Sequence, residues 1–119
     1  MSITGIDHVQ LAIPEGGEDA MRKFFVDLLG LEEVPKPENL SPSGLWLESG
    51  PVSLHIGVDH EFRPATKAHP AFLVDDLNVL RQRLETEGYT ARDDKPVEGY
   101  KRFFTADPFG NRIELMQRA

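Results

Sequence analysis

Four side chains of this 119-residue chain have the types and spacing to do chemistry together: His8, His55, His69 and Glu114. Three imidazoles and a carboxylate suit a borderline divalent cation such as zinc, nickel, cobalt, iron or manganese. In an octahedral shell four protein ligands leave two positions for water or substrate, and an open position separates a catalytic centre from a structural one. The order of the four is regular. His8 and His69 stand 61 residues apart and His55 and Glu114 stand 59 apart. Three of the four histidines and one acid therefore fall at equivalent places of a repeat about sixty residues long. One strand histidine taken alone is read as a half-buried polar residue; the coincidence of four carries the expectation of a metal. His60 lies outside the pattern and is read as solvated.

The elements that must position these residues follow from periodicity. In VSLHIGV (52–58) the residues Val52, Leu54, Ile56 and Val58 point one way, and Ser53, His55 and Gly57 the other. The segment Ile3–Ile13 alternates in the same manner and Pro14 ends it. Gly17–Leu29 carries Met21, Phe24, Phe25, Leu28 and Leu29 at helical spacing, with Glu18 and Asp19 at its start and Gly30 after its end. Strands Leu31–Pro35 and Leu45–Glu48 follow, and Gly50-Pro51 turns into VSLHIGV. This is β-α-β-β-β.

The same order returns from His69. HPAFLVDD is a short strand; Asp75 or Asp76 caps a helix Leu77–Glu87 with the stripe Leu77, Leu80, Leu84, and Gly88 closes it. A weak strand Tyr89–Arg92 and a better one Tyr100–Thr105 come next. Asp107-Pro108-Phe109-Gly110 is a tight turn into a last strand, Asn111–Gln117. The expected organisation is a single domain: module 1 over about 1–59, a connector over 59–68, and module 2 over about 69–119. The apolar faces Val9/Leu11/Ile13, Val52/Leu54/Ile56/Val58, Phe72/Val74 and Ile113/Leu115 meet the helices. The faces turned away carry His8, His55, His69 and Glu114, which converge if the sheet curls.

Bulk properties narrow the class. A net charge of −7 offers neither the basic face that nucleic acid needs nor a patch for an anionic membrane. The absence of cysteine excludes disulfides, zinc ribbons and thiol catalysis, and suits a reducing compartment. MSITGIDHVQ has no basic region followed by a long apolar run and no stretch of the chain has membrane-spanning length, so neither a signal peptide nor a membrane span is expected, and a soluble, cytoplasmic protein is. Gly16-Gly17 lacks the spacing of a nucleotide loop, and no serine nucleophile with a partner base can be assigned.

The paired β-α-β-β-β modules, with DHVQLAIP opening the first, HPAFLVDD opening the second and DPFGNRIELM closing the chain, resemble the vicinal oxygen chelate superfamily over essentially the whole chain. It includes glyoxalase I, extradiol dioxygenases, methylmalonyl-CoA epimerase, fosfomycin-resistance transferases and metal-free bleomycin-binding proteins. The resemblance implies an α+β fold in which the two modules form a curved, eight-stranded mixed sheet, a cup with the helices on its outer face. It implies a divalent metal in the cup, with His8, His69 and Glu114 as the usual two histidines and one carboxylate, and His55 in the remaining ligand place. It also implies a homodimer. One departure stands out: glyoxalase I commonly has a glutamate where His55 stands, and an imidazole already held by a metal is a poor general base.

Other residues are expected to meet a substrate. Tyr100, Arg102 and Phe104 share a strand face, which the resemblance makes the cup face, and Arg102 is placed to grip a carboxylate or phosphate or to pair with a neighbouring acid. Gln10 shares the face of His8. Arg112, two residues before Glu114, is a candidate to orient that carboxylate or a residue of the sheet edge. Arg63 and Lys67 in the connector make a local positive spot, read as plain surface ahead of a place over the cup mouth; Trp46 is read as core or dimer contact, and the stripe Met21/Phe24/Phe25 as core. The leading expectation is a small glyoxalase-like metalloenzyme, lyase, isomerase, dioxygenase or transferase. It would chelate an oxygenated, anionic substrate, with Arg102 on the acid group and Glu114 or a metal-bound water moving protons. The rival is a non-catalytic binder of an antibiotic or other small molecule, to which acidity would suit a cationic ligand; a metabolite-sensing module ranks last.

Overall fold

A computed structural model describes residues 1–119 as two compact units, Met1–Arg63 and Pro64–Ala119. Each holds one helix and one mixed sheet. In the first unit β1 (Val9–Ile13), α1 (Glu18–Arg22), β2 (Glu32–Val34), β3 (Leu45–Ser49) and β4 (Val52–Val58) follow in order. The sheet order is β1-β4-β3-β2, with β1 parallel to β4 and the other pairs antiparallel. In the second unit β5 (Ala71–Leu73), α2 (Leu77–Thr86), β6 (Tyr100–Ala106) and β7 (Arg112–Arg118) give the order β5-β7-β6, again with one parallel pair, β5 and β7. No helix is long and apolar enough to cross a membrane.

The alternation in the sequence places the core. Leu11, Ile13, Leu54, Ile56, Leu45 and Leu47 are buried in the first unit, with Met21, Phe24 and Phe25 from the helix. Each such large apolar side chain contributes about 1.5–3 kcal/mol on burial. The helix differs from the single regular one expected over Gly17–Leu29: α1 runs on as a π-helical segment, Lys23–Leu28. Two adjacent aromatics, Phe24 and Phe25, are both fully buried there, edge to face at 4.9 Å. A regular helix turns successive residues about 100° apart, and the wider turn is where this chain departs from that rule. In the second unit Leu77, Leu80 and Leu84 form the buried stripe, and Asp76 caps α2 by accepting the Val79 N–H at 3.1 Å.

Two expectations are corrected. The first strand was expected from Ile3, yet β1 starts at Val9, because its ladder with β4 begins with Val9 opposite Leu54. Carried backwards, that register sets Ile6 and Ile3 beyond the start of β4 at Val52, so they have no strand to join and stand exposed. The eighth strand, Tyr89–Arg92, is reduced to one bridge between Arg92 and Phe104. The residues that follow, Asp93-Asp94-Lys95-Pro96, are poor strand formers. Asp93 is moreover drawn off into an ion pair with Arg81 at 2.6 Å. Seven strands result, four and three.

The closing turn is a compact knot. Asp107 Oδ1 accepts the N–H groups of Phe109 and Asn111, its Oδ2 accepts from the Asn111 side chain at 2.7 Å, and Asn111 Oδ1 accepts the Ala65 N–H. Gly110 adopts φ +90°, which a side chain would resist. Burial pushes the Asp107 carboxyl above its ordinary range while these donors pull it back. The knot fixes where β7 begins, and so where Arg112 and Glu114 stand.

Candidate functional site

The parallel pairs β1/β4 and β5/β7 place the expected residues in matching registers. Gln10 stands opposite His55, and Ala71 opposite Glu114. His8 and His69 each precede those partners by two residues, on the same side of the strand. The repeat read from spacing is thus a repeat of register.

In the first unit His55 is buried at 8% exposure on β4, between two other rings. His8 stacks on one face with centroids 4.0 Å apart, and Trp46 of β3 stacks on the other at 4.1 Å with planes 4° apart. Burial, and then the neighbouring His8, lower the His55 pKa, so the ring is neutral at pH 7. His8 is exposed, and its Nδ1 lies 2.8 Å from Asp7 Oδ1. A carboxylate accepts, so Nδ1 carries the hydrogen and the neutral ring leaves Nε2 bare. Gln10 lies over Gly57, where an added Cβ would come within 2.5 Å of its Nε2. That explains the small residue beside His55. Asp7, His8, Gln10, Lys36, Trp46 and His55 are among the residues lining a cavity of about 480 Å³. Lys36 is held there by the carbonyls of Ser41 and Ser43.

In the second unit Glu114 is buried at 6% exposure and both its oxygens are engaged. Oε1 lies 3.0 Å from His69 Nε2, and Oε2 accepts from Arg102 Nη1 at 3.1 Å. His69 Nδ1 is 2.9 Å from the Lys67 carbonyl, which can only accept, so Nδ1 again carries the hydrogen. Phe104 is buried beneath this group, edge-on to His69 at 5.1 Å, with the guanidinium of Arg112 3.9 Å from its ring centre and that of Arg102 at 5.3 Å. Arg102 is further tied to the Lys95 carbonyl at 2.6 Å.

The structure therefore brings His8 together with His55 in one unit, and His69 with Glu114 and Arg102 in the other. No group of three or more histidines, aspartates and glutamates able to hold a metal ion is present within either unit. Arg102, expected on a substrate or an acid, is committed to Glu114. Arg112 does not orient Glu114; it lies on Phe104 and 3.7 Å from Asp94. Tyr100 is half-buried at the start of β6. His60 is exposed, 3.8 Å from Glu15. Arg63 and Lys67 are exposed. Trp46, read as core or dimer contact, is the third ring of the histidine stack; its place between buried Leu45 and Leu47 turns it to the face opposite theirs.

The family model described as glyoxalase/bleomycin resistance protein/dioxygenase superfamily matches residues 5–115. Among solved structures, a glyoxalase family protein from Bacillus anthracis is 44% identical with a TM-score of 0.92, covering 100% of this chain and 98% of that one. An antibiotic binding protein, TnmS3, from Streptomyces sp. CB03234 shares the fold at 19% identity and a TM-score of 0.75, covering 100% and 99%. The fosfomycin resistance protein FosX from Listeria monocytogenes does so at 18% and 0.78, covering 99% and 96%. No curated protein matches the chain.

Proposed function

We propose that this chain, which belongs to the glyoxalase/bleomycin resistance protein/dioxygenase superfamily, is a metal-dependent enzyme acting on a small oxygenated substrate. The observation that carries the reading is the anchoring of His69. Its Nδ1–H donates to the Lys67 carbonyl, so in the neutral ring Nε2 presents a lone pair towards Glu114 Oε1, 3.0 Å away. Two acceptors at that distance call for something positive, either a proton on the ring or a cation. A histidine that donates its far N–H to a carbonyl is the usual state of a metal ligand. The donor chemistry fits a borderline divalent ion, with His69 Nε2 and Glu114 Oε1 as its donors in the second unit. In the first unit His8, anchored through Nδ1 on Asp7, and His55 offer imidazole donors of their own.

When bound, the cation would supply Lewis acidity to neighbouring oxygens of the substrate. The remaining work falls to the chain. Arg102 holds Oε2 of Glu114, which leaves Oε1 for ligation. The Lys67 carbonyl fixes the ring of His69, and burial of Glu114 over Phe104 keeps bulk water from the carboxylate.

The test is titration of the metal-free protein with Mn²⁺, Ni²⁺ and Zn²⁺, followed by calorimetry and elemental analysis. About one ion per chain is expected to bind, and His69→Ala and Glu114→Ala each weaken it about tenfold or more. Undiminished binding in both variants overturns the assignment. A screen of vicinal-oxygen substrates with the loaded protein then decides the reaction. The His8–His55–Trp46 stack favours a second reading: a flat aromatic wall on a cavity of about 480 Å³ suits a planar ligand held without chemistry. Tight binding of a planar cationic compound by metal-free protein, quenching Trp46, would support that reading.

A further inference from the structure

The second unit has a cavity of about 600 Å³ whose lining includes Thr66, Thr90, Arg92, Phe104 and Arg112, but neither His69 nor Glu114. We propose that Arg92 and Arg112 form a subsite there for the phosphate group of a phosphorylated small molecule. Arg112 is built into the fold. Its guanidinium lies 3.9 Å from the centre of the Phe104 ring, which sets the plane of its donors, and its buried Nε has no hydrogen-bond partner. That Nε is sealed from solvent, so an anion in the cavity would meet the Nη donors of the same guanidinium. The carboxylate that approaches this arginine, exposed Asp94, stays 3.7 Å away, beyond hydrogen-bond reach. Arg92 is exposed, but its backbone is fixed by two hydrogen bonds with Phe104, 2.7 and 2.8 Å long.

The charge at this place runs against that of the chain. Within a net charge of −7, three arginines act on one point. The Asp94 carboxyl is held below its ordinary range by the Lys95 N–H first and then by Arg102, Arg112 and Arg92. Arg102 is spent on Glu114 and the Lys95 carbonyl, which leaves Arg92 and Arg112 to face the cavity. Each guanidinium is a planar fork of donors shaped for an oxyanion. A phosphate monoester, with close to two negative charges and three terminal oxygens, matches two such forks where a single carboxylate matches one. The hydroxyls of Thr66 and Thr90 add donors at the wall, and the volume suits a small organic molecule rather than a bare ion.

The proposal deepens the enzyme reading by giving its substrate an acid group, and rests on it only for turnover. The subsite itself is tested in metal-free protein, so failure of the metal centre and failure of the subsite are seen separately. The experiment follows arginine Nε–H resonances by NMR while inorganic phosphate is added, with sodium chloride holding ionic strength constant. A saturable shift of Arg92 and Arg112 is expected, with acetate about tenfold weaker. Arg92→Gln weakens phosphate binding about tenfold, the scale of one lost charge-assisted hydrogen bond. Arg112→Gln does the same, and Asp94→Asn tightens binding by removing the internal competitor. Because Arg112 packs on Phe104, the exposed Arg92 carries the test where Arg112→Gln fails to fold. Absence of saturation, equal binding of acetate, or phosphate affinity unchanged in folded Arg92→Gln overturns the proposal.

Discussion

The two units use one register for different chemistry. In the first, the histidine ahead of β1 lies flat on the ring of His55, and the contact is between aromatic faces. In the second, the histidine ahead of β5 meets a carboxylate edge-on, and an arginine completes an ionic chain. The bulk of the neighbours is exchanged as well. Gln10 and Gly57 in the first unit become Ala71 and Met116 at the matching places of the second. A repeated scaffold conserves where side chains stand while leaving free what they do, and the difference teaches which half depends on charge.

The largest break in that comparison is expected at Glu114. Glu114→Ala leaves Arg102 and His69 facing a buried gap and costs about 3–5 kcal/mol of stability by urea unfolding. His55→Phe preserves the ring stack and is expected to cost far less; equal losses would mean that the two pairs hold the fold in the same way. A middle-sized effect is expected at Gly57→Ala, where the new methyl displaces the end of Gln10 at about 1 kcal/mol. Gln10→Ala added to it restores the loss, and a double variant no better than the single one would refute the contact.

The smallest effect is on pH dependence. The His55 pKa is lowered in the folded state by burial and by His8. The unfolded chain therefore takes up a proton first as pH falls below the ordinary histidine range. This part of the stability is present above about pH 6.5 and is lost as pH drops towards the folded value. His55→Phe should flatten the stability profile between about pH 7 and pH 5. A slope unchanged from wild type would assign the proton uptake elsewhere.

Much of this could be read from the residues. Strict alternation in 52–58, and the Ile113/Leu115 pair in the strand read over 111–117, placed both closing strands and the side on which His55 and Glu114 stand. Spacing revealed the duplication, and Asp76 and the Leu77/Leu80/Leu84 stripe located the second helix. What escaped is non-local. Ile3–Asp7 alternate as a strand would, but pattern alone does not say where a partner's ladder ends. Adjacent phenylalanines do not announce a π-helical turn. The pairing of Arg102 with Glu114 depends on the register between β6 and β7, in which Phe104 rather than Arg102 stands opposite Glu114 and the long guanidinium reaches diagonally. Trp46 looked like core because its two neighbours are core.

The ring stack also makes the first unit legible to light. Trp46 is the only tryptophan of the chain, and its indole lies face to face with His55. Protonating an imidazole in that position quenches the emission of the indole. A single optical signal, free of any label, would thus follow the charge on a buried histidine and the arrival of anything that slides between the rings.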